Sequence, residues 1–121
     1  MQHAINWFEV PAKNFERAVG FYDTIFASPL HQGEFGGMPH GFFTDGEGES
    51  VGAVVFSPNH QPSDKGVVIY LNTGKELDKV ISRVERAGGK VVMPKTDIGQ
   101  PGYIAIVQDS EGNRVGLHQP K

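Results

Sequence analysis

Residues 45–53 (DGEGESVGA) and 109–117 (DSEGNRVGL) align without a gap, with five of nine positions identical. One copy lies in each half of the chain, and each sits between two strand-like runs. Internal repetition of this kind means that one supersecondary unit has been written twice. The first half opens with a strand-forming run at 5–10 that Pro11 stops. Phe15, Val19, Tyr22 and Phe26 follow at helical spacing behind Asn14, a suitable N-cap. The Gly-rich stretch 32–39 reads as a loop or an irregular edge strand, and 40–44 and 51–56 read as strands joined by the 45–48 turn. The second half repeats the order. A strand at 67–72 precedes a helix with the apolar stripe Leu77, Val80, Ile81 and Val84, closed by Gly88-Gly89 as a left-handed cap. Strands at 90–93, 103–107 and 114–118 complete it.

A βαβββ unit of half this length cannot close its own sheet, whereas two units side by side bury a shared core. The expected architecture is therefore one α+β domain over residues 1–121. Module one (1–57) and module two (67–121) flank a polar, Pro-bearing linker at 58–66. The strands form a curved, cup-shaped mixed sheet, the helices cover its outer face, and the inner face is free to hold a small molecule.

Several function classes are excluded or unsupported. The chain has no cysteine, which removes disulfides, thiolate metal sites and cysteine nucleophiles. A net charge of −3 without any basic run gives no electrostatic footprint for nucleic acid. No apolar run approaches the roughly 18 residues of a membrane span. The N-terminus lacks a basic region followed by an apolar stretch, so a cytoplasmic location is expected.

The element order, together with residues 15–22 (FERAVGFY), 88–92 (GGKVV) and 109–114 (DSEGNR), resembles the vicinal oxygen chelate superfamily of glyoxalase I, extradiol dioxygenases and bleomycin-resistance proteins. These motifs are spread over nearly the whole chain. The resemblance implies the cup-shaped fold, and it implies a homodimer, since such proteins often complete their cups or bury module edges that way. It does not imply one activity, because this scaffold hosts lyases, dioxygenases, epimerases, thiol transferases and pure binding proteins. Glyoxalase-like members hold a divalent cation with His and Glu side chains, one from the first and one from the last strand of each half. Those ligands suit Zn, Ni, Mn or Fe acting as a Lewis acid. Carried onto this chain, the four positions fall on Trp7, Gly52, Val68 and Gly116. None can ligate a cation, so the expectation is no metal and no other cofactor.

Strand alternation then lists the cup lining. Trp7 shares its face with Ile5 and Glu9, Gly52 with Val54 and Phe56, Val68 with Tyr70 and Asn72, and Gly116 with His118; Phe8, Val10, Val55 and Ile69 are expected under the helices. The candidate ligand-binding set is therefore Trp7, Gly52, Val54, Phe56, Val68, Tyr70, Gly116 and His118. It is mostly apolar with a few polar groups, as small-molecule pockets are. Glycines at 52 and 116 either leave room for a ligand or relieve crowding where the sheet bends. His118 and Glu9 are the candidates for acid–base chemistry. Their plainer readings are a histidine bonded to backbone and a solvated carboxylate. Trp7 and Tyr70 either fill space or stack on a planar ligand.

Residues 48–52 match G-x-S-x-G, but a hairpin turn precedes them and a strand follows, which is not the strand-to-helix context of a nucleophile elbow. His3, His31, His40 and His60 are scattered without metal-ligand spacing. The Gly-rich region 33–41 and the turn-rich loop 97–102 are placed to rim the cup. Three function classes emerge. The leading one is a small-molecule-binding protein of the glyoxalase/bleomycin-resistance type without the usual metal ligands. The second is a lyase or isomerase related to glyoxalase I, using a displaced metal site or His118 and Glu9. The third is a structural or regulatory subunit with a vestigial cup. The expected partners are an unidentified small molecule and a second copy of the chain.

Overall fold

The computed structural model describes residues 3–121. Module one comprises β1 (Phe8–Pro11), α1 (Phe15–Phe26), β2 (His31–Phe35), β3 (Met38–Thr44) and β4 (Ser50–Val55). Module two comprises β5 (Tyr70–Asn72), α2 (Leu77–Val84), β6 (Lys90–Asp97), β7 (Tyr103–Gln108) and β8 (Arg114–Gln119). The two sheets have the same topology, β1-β4-β3-β2 and β5-β8-β7-β6, with one parallel pair at the edge and two antiparallel pairs. This is the tandem βαβββ arrangement expected from the repeat.

Local chemistry accounts for the element ends. Asn14 caps α1, its Oδ1 accepting the Arg17 amide at 3.0 Å. Behind α2, the Gly89 amide donates to the Val84 carbonyl and the Gly88 amide to Glu85, with Gly88 at φ 103°; this is a Schellman stop. The stretch 32–39 forms the edge strand β2, as one of its two readings has it, with a regular turn into β3. Gly36 and Gly37, at φ 59° and 77°, supply the two positive-φ residues of a tight hairpin, so β2 pairs regularly along β3. The first strand of each module is shorter than expected, and residues 5–7 and 67–69 lie outside it.

One core serves both modules. Phe21, Tyr22 and Ile25 of α1 and Leu77, Val80 and Val84 of α2 are buried with Val54, Val107 and Leu117 of the sheets. Polar bonds tie the halves together at the second 109–117 turn. The Tyr22 hydroxyl donates to Asp109 Oδ2 at 2.7 Å, and burial, then the Asp109 charge, push the phenol well above its ordinary pKa. Glu111 Oε1 accepts the Lys13 and Asn14 amides at 2.8 and 2.7 Å, and Arg17 Nε donates to its Oε2 at 2.7 Å. Asn113 Nδ2 reaches the Pro11 carbonyl at 2.8 Å. Each sheet thus has one face under the helices and one open face.

Candidate functional site

In module two the open face is the expected one. Gly116 pairs with Tyr70, and His118 with Asn72, while Leu71, Val115 and Leu117 on the other side belong to the core. The Tyr70 ring lies across Gly116, where an added Cβ would stand 2.3 Å from it, yet the side chain remains 47% exposed. A glycine at this position therefore makes room for an aromatic ring of the chain itself. His118 Nε2 donates to the Pro101 carbonyl at 2.8 Å, which ties the ring to the 97–102 loop and leaves Nδ1 as its free nitrogen. Val68 precedes the strand and is half-buried.

Module one departs from expectation. Thr44 pairs with Ser50 but Phe43 pairs with Gly52, so Val51 is an extra, bulged residue. In module two, by contrast, Gln108, Val107 and Ile106 pair with Arg114, Val115 and Gly116 without interruption. A one-residue slip exchanges the faces of a strand. Gly52 consequently turns toward the helix side. It pairs with Phe8 and Phe43, a Cβ there would stand 2.4 Å from the Phe8 ring, and Phe43 packs edge-on against Tyr22 of α1. Val54 pairs with Gly41, which lies against Val19 of α1, and is fully buried in the core. Gly52 and Val54 are thus removed from the open face by the bulge, and Val55, expected under the helices, pairs with His40 on the open side. The residue equivalent to Gly116 is Ala53, opposite Glu9 and Phe42. A matching pair of bonds confirms the frame: the Ala12 amide donates to the Val55 carbonyl at 2.9 Å, and the Thr73 amide to the His118 carbonyl at 2.8 Å.

The open face of module one is aromatic. Trp7 stands edge-on to Phe42 at 6.3 Å, His40 stacks on Phe42 at 5.7 Å, and Phe35 meets both at 5.6 and 5.7 Å. His40 Nδ1 is held by the Met38 carbonyl at 2.9 Å. Glu9 Oε1 lies 4.0 Å from His60 Nδ1 on the linker. Phe56, beyond the end of β4, is exposed. The structure thus brings Trp7 to one open face and Tyr70, Gly116 and His118 to the other, and His118 and Glu9 sit on different modules with no hydrogen bond or ion pair between them. Sequence reasoning missed Phe42, Phe35 and the Glu9–His60 contact. Alternation along 40–44 carried a signal for Phe42, because Phe43 next to it is a core residue; nothing local signalled His60. Among the described residues, no group of three or more His, Asp or Glu is placed to hold a metal ion.

The family model for the Glyoxalase/Bleomycin resistance protein/Dioxygenase superfamily matches residues 4–117, and the chain belongs to this superfamily. A Mycobacterium bovis protein named as a candidate glyoxylase, CFP32, is 30% identical over 119 residues, covering 94% of this chain and 44% of its own length. The chain therefore spans less than half of that curated relative. Among solved structures, a glyoxalase/bleomycin resistance protein from Albidiferax ferrireducens T118 superposes with a TM-score of 0.74 at 15% identity, covering 98% of this chain and 100% of that one. The fosfomycin resistance protein FosX of Listeria monocytogenes gives 0.68 at 15% identity, with 100% and 94% covered. At these identities the structural likeness shows the fold alone. No helix among the described residues is long and apolar enough to cross a membrane.

Proposed function

We propose that the chain is a small-molecule-binding protein of the glyoxalase/bleomycin-resistance type that works without the family's usual metal ligands. One observation carries this reading. Once the bulge is allowed for, the four positions where relatives carry their ligands fall on Trp7 and Val68, just before β1 and β5, and on Ala53 and Gly116 of β4 and β8. An indole, a methyl, an isopropyl group and a hydrogen offer a cation no donor. The residues present therefore do not fit the divalent centre of glyoxalase-like relatives. They suit instead a planar or apolar ligand, stacked on Trp7 and Phe42 of one face or on Tyr70 of the other, with the free Nδ1 of His118 as a hydrogen-bond partner. Trp7 and Tyr70 are 41% and 47% exposed. A homodimer that sets the module-one face of one copy against the module-two face of another would enclose such a ligand.

Trp7 is the only tryptophan, so its emission reports occupancy of its face directly. Titration with a panel of planar metabolites is expected to give saturable quenching by at least one compound, weakened in Tyr70→Ala if the two faces meet across a dimer. No saturable response would overturn the reading in favour of a structural role. The second reading, a lyase or isomerase, draws on the Glu9–His60 contact as an acid–base pair and on the name of the mycobacterial relative. Turnover lost in both Glu9→Gln and His60→Ala would favour it.

A further inference from the structure

A cavity of about 540 Å³ lies between the C-terminal end of α1, the turn at 45–46 and the edge strand β5, and shares Phe42 and Tyr70 with the two open faces. Phe8, Phe26, Leu30, Phe43 and Val51 form its apolar wall, and Tyr70 and Asn72 line the opposite side. It has a counterpart in the other module, related by the internal repeat: a smaller space of about 210 Å³ beside Ile69 and Val115, with Val10 and Pro11 opposite. That counterpart is partly filled by the chain itself. Gln61, Ser63 and Lys65 of the linker line it, and the segment is held by the Ser63 amide on Asn113 Oδ1 at 3.1 Å and the Arg114 amide on the Ser63 carbonyl at 3.3 Å. The fold thus makes a groove wherever the first strand of one module meets the other module. It fills one groove with its own linker and leaves the other open.

Among the described residues, Asp45 is the one carboxylate that lines the open groove, with His31, Thr44 and Asn72 as further polar residues. Asp45 Oδ1 accepts the Glu47 and Glu49 amides at 2.9 and 3.0 Å, while Oδ2 has no hydrogen bond or ion pair among the described residues. No Lys or Arg lines the cavity. We propose that this groove is a second binding site, for an organic amine carrying an aromatic or branched apolar group. The apolar group would lie between Phe8, Phe43 and Leu30, and the ammonium would meet Asp45 Oδ2, a charge-assisted bond with no Lys or Arg in the lining to compete.

The test uses methyl-labelled protein, reading Leu30, Val51 and Leu71, titrated with tryptamine and separately with indole-3-acetate. Tryptamine is expected to shift these methyls saturably, and indole-3-acetate, which presents a carboxylate to Asp45, to bind at least about tenfold more weakly. Asp45→Asn keeps the Oδ1 acceptor for the turn and is expected to abolish the difference between the two probes. Trp7→Ala, outside the cavity lining, is expected to leave these shifts unchanged, which separates this site from stacking on Trp7. Absence of saturable shifts, equal binding of both probes to the wild-type chain, or shifts confined to Ile104 and Ile106 of the open face would each overturn the proposal.

Discussion

The hydroxyl of Tyr22 donates to Asp109 Oδ2 at 2.7 Å, joining the helix of module one to the last turn of module two inside the shared core. Asp109 also accepts the Glu111 and Asn113 amides and Asn113 Nδ2. Tyr22→Phe therefore leaves the carboxylate bonded but short of one partner. A loss of about 1–2 kcal/mol in urea denaturation is expected, without change in the open-face aromatic signals.

Glu111 is the second tie. Burial alone would raise its pKa, but the bonds from Arg17, the Asn14 amide and Ser110 outweigh it and hold the carboxyl below its ordinary value. A carboxyl depressed in the folded state contributes stability that is full above its unfolded pKa and is lost as pH falls through the folded value. Stability measured by denaturant titration is expected to fall on acidification below the ordinary carboxylate range, and less steeply in Glu111→Gln. At neutral pH, Glu111→Ala removes the acceptor for two backbone amides and is expected to cost about 2 kcal/mol.

The bulge at Val51 makes two identical glycines behave differently. A methyl at Gly52 meets the Phe8 ring, which is packed against Phe43 under the helices, and Gly52→Ala is expected to cost about 2 kcal/mol. A methyl at Gly116 meets the Tyr70 ring, which is half exposed and free to swing outward. Gly116→Ala is expected to cost less than about 1 kcal/mol and to shift the Tyr70 ring resonances. Equal costs at the two sites would contradict the assignment of faces.

Those glycines also mark where the sequence stops being readable. The repeat, the helix stripes at Phe15–Phe26 and Leu77–Val84, and the caps at Asn14 and Gly88 act over a few residues, so spacing alone located them. The order βαβββ twice over followed. The side of the sheet that Gly52 and Val54 occupy depends on one unpaired residue, Val51, which pairing with β3 expels and which no local pattern announces. The module-two assignments of Tyr70, Gly116 and His118 to one face met no such slip. Glu9 and His60 lie on strand and linker, and their approach depends on how the linker runs past β1.

His118 tests the difference between a bonded and a free imidazole. With Nε2 engaged by the Pro101 carbonyl, His118→Gln can still donate from its amide to the loop, whereas His118→Ala cannot. His118→Ala is expected to loosen the 97–102 loop, seen as faster amide exchange at Gly99 and Gly102, while His118→Gln keeps protection near that of the wild-type chain.

The proposed function requires open faces that hold no divalent cation. Chain produced without a histidine tag, incubated with Zn, Ni, Mn or Fe(II) and separated from free ion by gel filtration, is analysed for bound metal. Only substoichiometric, non-saturable metal is expected, unchanged by Trp7→Ala and Glu9→Gln. Stoichiometric binding of any of these ions, lost on substituting Glu9 or His60, would contradict it.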